Sequence, residues 1–510
     1  MPRYAAIDIG SNSIRMEASE VLPDAPKKIL ASERQVTRLG FSVFRTGRVS
    51  DEAIEFVCGI LPAWAQQFKK LEVAGMRVVA TSAMRDASNQ EQFMTRAVAA
   101  IGAPIEIVSG QEEARLIHLG VQSQWPQPNK RVLMVDVGGG SAEIILSENG
   151  RMRMAFSKQL GALRLNEVFL KTDPPTPNEL LRLNEYIHER LAPAIARVGQ
   201  SKIDRVIATS ATAAALVCAI NRVPRAKREG ADRLRAPTTQ LRKLYRDLCA
   251  RNLEGRRKIT GIGPRRAEII ISGAAVLLRV LEEVRAPSLY YSSAGVRDGI
   301  IADLAARGVG RDLATMNRDQ RDVVEAMTER YGVSLRHARK VARTAIALFA
   351  GLETLHHLPQ TYGKLLEAAA YLHDIGHYVN DTSHHKHSYY LVAHSDMPGF
   401  TQREREVIAN LCRYHRKASP QQEHANLQPL DSDNRRAVAL LAPLLRLADN
   451  LDRGHGQRVN AVRCSVRDNE VVLELVSDQD IGLETWAAER AGEVFRQVYA
   501  HPIVLKRVRS

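Results

Sequence analysis

Residues 6–13 of the chain read A-I-D-I-G-S-N-S and residues 135–142 read V-D-V-G-G-G-S-A, so one local design occurs twice. In each stretch an apolar strand ends in an aspartate, a glycine turn follows, and hydroxyl residues lead into a second strand. Because equivalent local units in one chain are typical of structural duplication, the pair indicates two equivalent subdomains.

The two glycine turns predict a phosphate-binding site. A tight turn of this kind exposes successive backbone N–H groups, and serine and asparagine side chains add further donors. The aspartates that end the first strands, Asp8 and Asp136, are placed to hold Mg²⁺ directly or through water. One such loop alone is more typical of an ordinary hairpin turn, whereas a matched pair favours phosphate binding. The predicted phosphate-binding residues are Ser11, Asn12, Ser13, Gly138, Gly139, Gly140 and Ser141.

Two further segments carry side chains suited to phosphate chemistry. Residues 107–115, I-V-S-G-Q-E-E-A-R, read as a strand end and a helix start with two carboxylates. Glu112 is as well explained by the helix dipole alone, whereas Glu113 lies on another side of the helix and is predicted to orient or deprotonate water. Residues 81–86, T-S-A-M-R-D, end another strand, and the planar guanidinium of Arg85 suits bidentate phosphate binding.

Charge indicates an acidic partner. The 72 Lys and Arg residues against 57 Asp and Glu leave a formal charge of +15, and a basic protein of this kind attracts anions. Nucleic acid, an anionic membrane and polyphosphate all meet that expectation, and so does a cationic surface with no partner. With only 5% aromatic residues, base stacking on nucleic acid is disfavoured.

Cysteine usage and hydropathy indicate the compartment. The five cysteines are scattered and form no C-x-x-C pair, which is typical of a reducing environment. The chain starts M-P-R-Y without a basic leader and has no apolar run of about 18 residues. We therefore expect a cytoplasmic protein with no membrane partner.

The sequence resembles the exopolyphosphatase / guanosine pentaphosphate phosphohydrolase family, a branch of the sugar kinase–Hsp70–actin fold. The matching segments occur in the family's order over the first 300 residues: A-I-D-I-G-S-N-S-I-R (6–15), T-S-A-M-R (81–85), S-G-Q-E-E-A-R-L-I (109–117), D-V-G-G-G-S-A-E (136–143), A-T-S-A-T (208–212) and Y-S-S-A-G-V-R-D-G-I (291–300).

The resemblance implies a cleft in which the two glycine loops grip phosphate from opposite sides. It implies that Glu113 is the catalytic carboxylate that activates water and that Arg85 binds the terminal phosphate. It also implies that Asp136 and Glu143 organise Mg²⁺ and the nucleophile. A phosphoanhydride already carries a good leaving group, so positioning and charge neutralisation matter more than covalent catalysis.

The predicted fold class is α/β, with two actin-like (ribonuclease H-like) subdomains followed by an all-α HD-like domain and a small α/β appendage. Short β-branched runs alternate with amphipathic helices up to about residue 300. Long helical patterns then dominate, including one over 335–355. The basic stretch 222–235 is predicted to be a solvated loop with a phosphate-steering role. The predicted domains are 1–125, 126–305, 306–457 and 458–510.

The helical half carries a second constellation, which follows the ligand order of the HD phosphohydrolase superfamily: His337, His373, Asp374 and Asp449. Imidazole and carboxylate together bind divalent transition metals. In long members of the resembled family the His-Asp pair is often degenerate, but here the four positions are intact. Two interpretations stay open: a relic that lines a polyphosphate channel and a dimer interface, or a site for a second divalent metal. Three histidines nearby in sequence would widen it, namely His377, His387 and His415.

The leading hypothesis is Mg²⁺-dependent, processive removal of terminal orthophosphate from polyphosphate by a homodimer. Hydrolysis of guanosine pentaphosphate at the same site is the nearest alternative, because both substrates present a terminal phosphoanhydride to the same donors. A sensor that binds polyphosphate or an alarmone without turnover is a second alternative. The third is an independent HD phosphohydrolase that acts on a nucleotide.

Overall fold

The computed structural model describes residues 1–22, 26–199, 201–307, 314–467 and 469–509. Two compact units divide the chain, residues 1–309 and residues 310–510. The finer predicted boundaries, after residues 125 and 457, stay predictions, and so does the homodimer. No described helix combines the length and the hydropathy needed to cross a bilayer.

A five-stranded sheet opens the first unit. Its strands are β1 (Arg3–Ile9), β2 (Ile14–Glu20), β3 (Lys28–Gln35), β4 (Gly75–Ala80) and β5 (Ile105–Ile107), and its helices are α1 (Leu39–Thr46), α2 (Asp51–Lys70), α3 (Ser82–Asp86), α4 (Gln90–Ile101) and α5 (Gly110–Gln124). The strands lie in the order β3-β2-β1-β4-β5. β1, β2 and β3 are antiparallel, and β4 and β5 continue the sheet in parallel from β1.

A six-stranded sheet follows in the same unit. Its strands are β6 (Arg131–Val137), β7 (Ala142–Glu148), β8 (Arg151–Lys158), β9 (Arg205–Thr209), β10 (Arg235–Pro237) and β11 (Ser288–Tyr291), and its helices are α6 (Ala162–Phe169), α7 (Pro177–Val198), α8 (Ser210–Ile220), α9 (Thr238–Ala250), α10 (Leu253–Arg257), α11 (Pro264–Ala267), α12 (Ile270–Glu283) and α13 (Val296–Arg307). The order β10-β11-β9-β6-β7-β8 repeats the first sheet's arrangement with one added edge strand. The predicted pair of actin-like subdomains is confirmed.

The central strands are buried on both faces, which explains their nearly continuous apolar character. In β1, Ala5, Ile7 and Ile9 pack into one hydrophobic cluster, whereas Tyr4 and Ala6 pack into another on the opposite face. Successive side chains of a strand point to opposite faces. The strand ends are therefore held rigidly from both sides, which positions the turns that follow them.

A buried network of ion pairs joins β4, α5 and α13. Arg77 contacts Glu112 at 3.0 Å and Asp303 at 3.1 Å, and Arg115 contacts the same two carboxylates at 2.8 and 2.9 Å. Burial alone would raise the pKa of both carboxyls, but Arg115, assisted by Arg77, lowers the pKa of each below its ordinary value. Glu112 is therefore part of the structural core, beyond any interaction with the helix dipole.

The second unit begins with helices and ends with a small sheet. Its elements are α14 (Arg318–Arg330), α15 (Leu335–Gly351), α16 (Glu353–His356), α17 (Thr361–Leu372), α18 (His384–Ala393), α19 (Gln402–Tyr414), α20 (Ser432–Asn450), β12 (Ala461–Arg467), β13 (Glu470–Val476), α21 (Gly482–Tyr499) and β14 (Ile503–Val508). α17 is buried from Gly363 to Leu372, as expected for a helix at the centre of a bundle. The three strands lie in the order β12-β13-β14, so the helical region and its α/β appendage are confirmed.

One prediction of local structure was wrong. The helix predicted over 335–355 ends at Gly351, where a Cβ would lie 2.6 Å from Cys464 Cβ, and a separate turn of helix starts at Glu353. The basic stretch 222–235 is largely exposed, as predicted for a solvated segment, and Arg225–Ala231 within it form 3₁₀ turns that bury Ala231.

Candidate active site

A cavity of about 120 Å³ in the first unit lies between the two glycine turns. The turns are closed in the same way, because Gly10 N–H donates to Ser13 O at 3.2 Å and Gly138 N–H donates to Ser141 O at 3.0 Å. The predicted site residues that line the cavity are Asp8, Ser11, Asn12, Ser13, Glu113, Asp136, Gly138, Gly139, Gly140 and Ser141. The structure thus brings both loops and the helix α5 carboxylate to one place.

The two turns approach each other so closely that glycine is required. A Cβ on Gly140 would lie 2.5 Å from Ser82 Oγ and 2.9 Å from Ser11 Oγ, and a Cβ on Gly139 would lie 3.1 Å from Ser11 Cβ. Contacts under 3.0 Å force neighbouring atoms to move. These two glycines of the second turn therefore lie against Ser11 of the first turn with no room for a side chain.

Glu113 is held beside this gap by an arginine. Ser109 caps α5 by accepting from Glu112 N–H, which fixes the first helical turn that carries Glu113. Arg85 Nη1 donates to Glu113 Oε2 at 2.9 Å and to Val108 O at 2.9 Å. The guanidinium is therefore engaged with Glu113. Arg85 is not among the described residues that line the cavity. Although burial lowers the pKa of Arg85, Glu113 and Glu143 raise it above its ordinary value.

Asp8 and Asp136 occupy equivalent positions at the ends of β1 and β6. Both line the cavity. Burial raises the pKa of each carboxyl to about 6, opposed at Asp8 mainly by Arg15 and at Asp136 mainly by a hydrogen bond from the Thr209 hydroxyl. Carboxylate oxygens are ligands that Mg²⁺ prefers, and these two partly buried carboxylates lie in the wall of one cavity.

Glu143 lies one step behind the cavity wall. It is paired with Asp136 in the register of β6 and β7 and is 1% exposed. Its Oε1 accepts from Ser157 Oγ at 2.8 Å, while Oε2 is buried with no hydrogen-bonding partner in the part of the chain that the structure describes. Burial, reinforced by Glu113, raises the pKa of Glu143 well above its ordinary value.

Four arginines that the sequence did not single out line the same cavity: Arg15, Arg228, Arg266 and Arg297. Burial and then mutual repulsion lower the pKa of Arg15, with Arg297 its strongest cationic neighbour, and lower that of Arg266 to about 10. Arg15 and Arg297 fall inside matched motifs, at 6–15 and 291–300, which was the available signal. Arg228 comes from the 222–235 stretch, so part of that stretch does reach the cavity.

The cavity continues into a groove of about 470 Å³ that is also lined by arginines. Asn12, Arg228 and Arg266 border both spaces. The groove adds Arg34, Arg225 and Arg265. The electropositive surface therefore extends from the two glycine turns into this groove.

The second constellation also assembles, within the second unit. Ligand atoms of His337, His373, Asp374 and Asp449 all lie within 4.8 Å of one another. His377 and His415 line the adjoining cavity, whereas His387 is not among the described residues that line it.

Comparison with known proteins covers nearly the whole chain. The Ppx/GppA phosphatase family matches residues 20–307, and domain III of the Ppx/GppA phosphatases matches residues 320–488. The guanosine-5'-triphosphate,3'-diphosphate pyrophosphatase of Photobacterium profundum is 27% identical over 478 residues, which are 93% of this chain and 92% of that protein.

Solved structures match the first part of the chain. The Aquifex aeolicus member of the Ppx/GppA family is 27% identical, with a TM-score of 0.53 over 60% of this chain and 98% of its own. An exopolyphosphatase from Cytophaga hutchinsonii is 23% identical, with a TM-score of 0.56 over 60% of this chain and 99% of its own, and it supports the fold alone.

Proposed function

This chain belongs to the Ppx/GppA phosphatase family and is a phosphoanhydride hydrolase, and we propose that its cleft removes the terminal phosphate of inorganic polyphosphate. The observation that carries the proposal is the row of arginines that starts in the cavity and continues along the groove. A chain of phosphates is the ligand whose charge matches such a row at every step.

The terminal phosphate would bind between the two glycine turns. Residues 139–141 and Ser11, Asn12 and Ser13 line the cavity, and their backbone N–H groups and side chains would supply the donors. Such donors are fixed before the substrate arrives, so no reorganisation opposes the developing charge. Arg15, Arg228 and Arg266 would neutralise the next phosphates, which relieves the repulsion among the guanidinium groups themselves.

The residues present fit a magnesium ion. Asp8 and Asp136 line the cavity as partly buried carboxylates, and Oε2 of Glu143, the cross-strand neighbour of Asp136, is buried without a hydrogen-bonding partner among the described residues. Asp8 and Asp136 would hold the ion, with Glu143 close behind Asp136. When bound, Mg²⁺ neutralises phosphate charge and orients the transferring group.

Glu113 would accept a proton from the attacking water. The water oxygen forms a bond to the terminal phosphorus, the bridging P–O bond breaks, and orthophosphate and a polyphosphate one unit shorter are released. Arg85 fixes the Glu113 carboxylate from the side away from the cavity, which makes Arg85 a positioning residue here. The family resemblance implies direct phosphate binding by Arg85, whereas its contacts to Glu113 and Val108 support the positioning role.

Guanosine pentaphosphate is the second candidate substrate, because the Photobacterium profundum relative matches along 93% of this chain. Its 5'-triphosphate would present the same terminal group to the same donors. Against it, Tyr291 is the single aromatic side chain among the described residues that line the cavity and groove. Polyphosphate needs no aromatic contact, whereas a guanine base usually finds one.

Rates of phosphate release from long-chain polyphosphate, guanosine pentaphosphate and ATP, measured side by side, test the proposal. We expect the highest kcat/KM with polyphosphate. The double variant R225A/R265A removes two groove charges, each worth about 0.5–1 kcal/mol, so its kcat/KM with polyphosphate should fall roughly tenfold. The control R182A changes an exposed arginine on α7 that lies outside the groove.

The result that would overturn the assignment is a higher kcat/KM with guanosine pentaphosphate together with an unchanged polyphosphate rate in the groove variant. That outcome would make guanosine pentaphosphate the substrate of the same cleft. An equal loss in R182A would attribute the effect to net charge rather than to the groove.

A further inference from the structure

Five histidines and one further aspartate of the second unit surround one carboxylate, that of Asp374. They come from helices far apart in the sequence: His337 on α15, His373 and Asp374 at the end of α17, His377 in the turn that follows, His384 on α18, His415 at the end of α19 and Asp449 on α20.

The two oxygens of Asp374 face different sets of imidazoles. Oδ2 lies 3.5 Å from His373 Nε2 and 3.9 Å from His337 Nε2. Oδ1 lies 3.6 Å from His377 Nε2 and 3.4 Å from His384 Nε2, with His415 Nε2 at 3.7 Å. Each oxygen thus belongs to its own group of ligand atoms, and both groups are compact enough to hold a cation, with all atoms within 4.8 Å of one another.

Asp449 completes the first group. Its Oδ1 lies 3.4 Å from His373 Nε2 and 3.7 Å from His337 Nε2. The first group therefore offers two imidazoles and two carboxylates, and the second offers Asp374 with His377, His384 and the nearby His415.

The other ring nitrogens are already engaged. His337 Nδ1 lies 2.8 Å from Asp452 Oδ2, and His377 Nδ1 lies 2.6 Å from Asp381 Oδ1. The Nδ1 atoms of His373 and His415 lie 2.9 and 2.7 Å from the backbone oxygens of Ala370 and Cys412. An oxygen of this kind can only accept, so each Nδ1 carries a proton, and in the neutral ring the Nε2 lone pair is left for a metal ion.

These lone pairs need a partner. The side chains of His337 and His373 are 1% and 0% exposed, so water cannot reach them. Their Nε2 atoms have no hydrogen-bonding partner among the described residues. A buried polar atom without a partner destabilises the fold. Two unpartnered imidazole nitrogens beside two carboxylates are the donor set of a divalent transition metal. In the second group, His384 Nε2 and His415 Nε2 lie 3.1 Å apart, a spacing at which both rings can turn to one ion.

We propose that the second unit holds a two-metal centre in which Asp374 bridges the ions, and that this centre hydrolyses a phosphate ester independently of the cleft in the first unit. The first ion is held by His337, His373, Asp374 and Asp449. The second is held by Asp374, His377 and His384, with His415 in reach. Two adjacent cations of this kind stabilise both the attacking and the leaving oxygen of a displacement at phosphorus.

The surroundings of the centre favour an anionic ligand. It opens into a cavity of about 960 Å³ whose wall carries Arg416, Lys417, Arg453 and Arg490. Trp486, 54% exposed, also lines this cavity and stacks on Arg490, which lies 5.0 Å from the ring centroid. A dianionic phosphate head with an organic group against the indole matches that wall. In hydrolysis a water oxygen bonds to phosphorus, the bond to the ester oxygen breaks, and the released oxygen takes a proton from the water.

Metal content of the whole chain tests the centre. The wild type is loaded with Mn²⁺, dialysed, and compared with D374A by elemental mass spectrometry. We expect D374A to hold about two ions fewer per chain, and H377A/H384A about one fewer. The control H394A removes an exposed histidine of the same unit and should match the wild type. D374N, which keeps the side-chain volume, should show the same loss if the carboxylate is the bridge.

The proposal would be overturned by equal Mn²⁺ content in folded wild type and folded D374A, or by a difference of only one ion. The difference should persist in a D136A background, because that change affects only the cleft of the first unit.

Hydrolysis is tested in E113Q, where the cleft carboxylate is removed. With Mn²⁺ bound, E113Q should release p-nitrophenol from p-nitrophenyl phosphate, and E113Q/D374A should release at least a hundredfold less. Bound Mn²⁺ with no p-nitrophenol release in E113Q would refute the hydrolytic role, and release that persists in E113Q/D374A would assign it elsewhere.

Discussion

Replacement of Gly140 by alanine tests whether the two glycine turns act as one phosphate grip. A Cβ at this position would lie 2.5 Å from Phe44 Cζ, 2.5 Å from Ser82 Oγ and 2.9 Å from Ser11 Oγ. Carbon atoms pack at about 3.5–4.0 Å, so the neighbours must move by about 1 Å. Overpacking of this size costs about 1–3 kcal/mol of stability, and a 1 Å displacement of positioning groups costs roughly 10²-fold in rate.

The assay is phosphate release from polyphosphate, with thermal unfolding measured on the same samples. We expect G140A to be folded, with kcat/KM reduced roughly 10²-fold. G138A is the matched control, because its Cβ would meet Ser141 O at 3.4 Å and Asp136 Oδ1 at 4.0 Å, which are tolerable contacts. Wild-type kcat/KM in folded G140A would refute the close approach of the two turns, and an equal loss in G138A would show that any added methyl disrupts the site.

Three further predictions concern Glu113's partner and the buried ion-pair network. R85Q removes the 2.9 Å contact to Glu113, so steady-state kinetics should show kcat reduced roughly 10²-fold with KM little changed. R85K should recover part of the loss. A raised KM as the main effect would instead place Arg85 on the substrate. D303N leaves Arg77 and Arg115 without one buried partner and should lower the free energy of unfolding by about 3–5 kcal/mol in urea titrations; a loss under about 1 kcal/mol would contradict the network's role. The pKa of Asp303 and of Glu112 is lowered in the folded state. Their contribution to the free energy of unfolding is therefore fully present above the unfolded pKa of about 4 and is lost as the pH falls below it. Urea titrations at several pH values should show this loss in wild type and a weaker one in D303N, and parallel pH profiles would contradict it.

The glycine turns and the elements around them were predictable because their determinants are local. The strand β6, residues Arg131–Val137, has an unbroken apolar run over 132–135, and α19, Gln402–Tyr414, starts at a capping box formed by Thr401 and Glu404. Such signals act within a few residues. The equivalence of the two loops then followed from comparing two segments of one chain.

The arginine lining was not predictable in the same way. Arg15, Arg228 and Arg266 are more than 200 residues apart at the extremes and meet only after both sheets have formed. Nothing in the local sequence of Arg266 distinguishes it from a solvated charge. Glu143 was expected at the site, but its position beside Asp136 follows from the pairing of β6 with β7.

The break after Gly351 and the 3₁₀ turns at Arg225–Ala231 share a physical reason. In the first, the helical pattern of the sequence continues past Gly351. The helix nevertheless ends there, where Gly351 packs so closely on Cys464 that a Cβ would lie 2.6 Å from Cys464 Cβ. In the second, Arg228 Nη2 reaches Ser210 O at 3.5 Å and Tyr291 Oη at 3.4 Å, contacts that lie 18 and 63 residues away in sequence. Tertiary contacts override local preference in both cases.

The most direct test of the central claim is the turnover of long-chain polyphosphate by E113Q. The substitution keeps the side chain's shape and removes its capacity to accept a proton, so kcat should fall about 10²–10⁴-fold while KM, circular dichroism and the melting temperature stay close to wild type. Wild-type turnover in a folded E113Q protein would contradict the assignment of Glu113 as the group that activates water in this cleft.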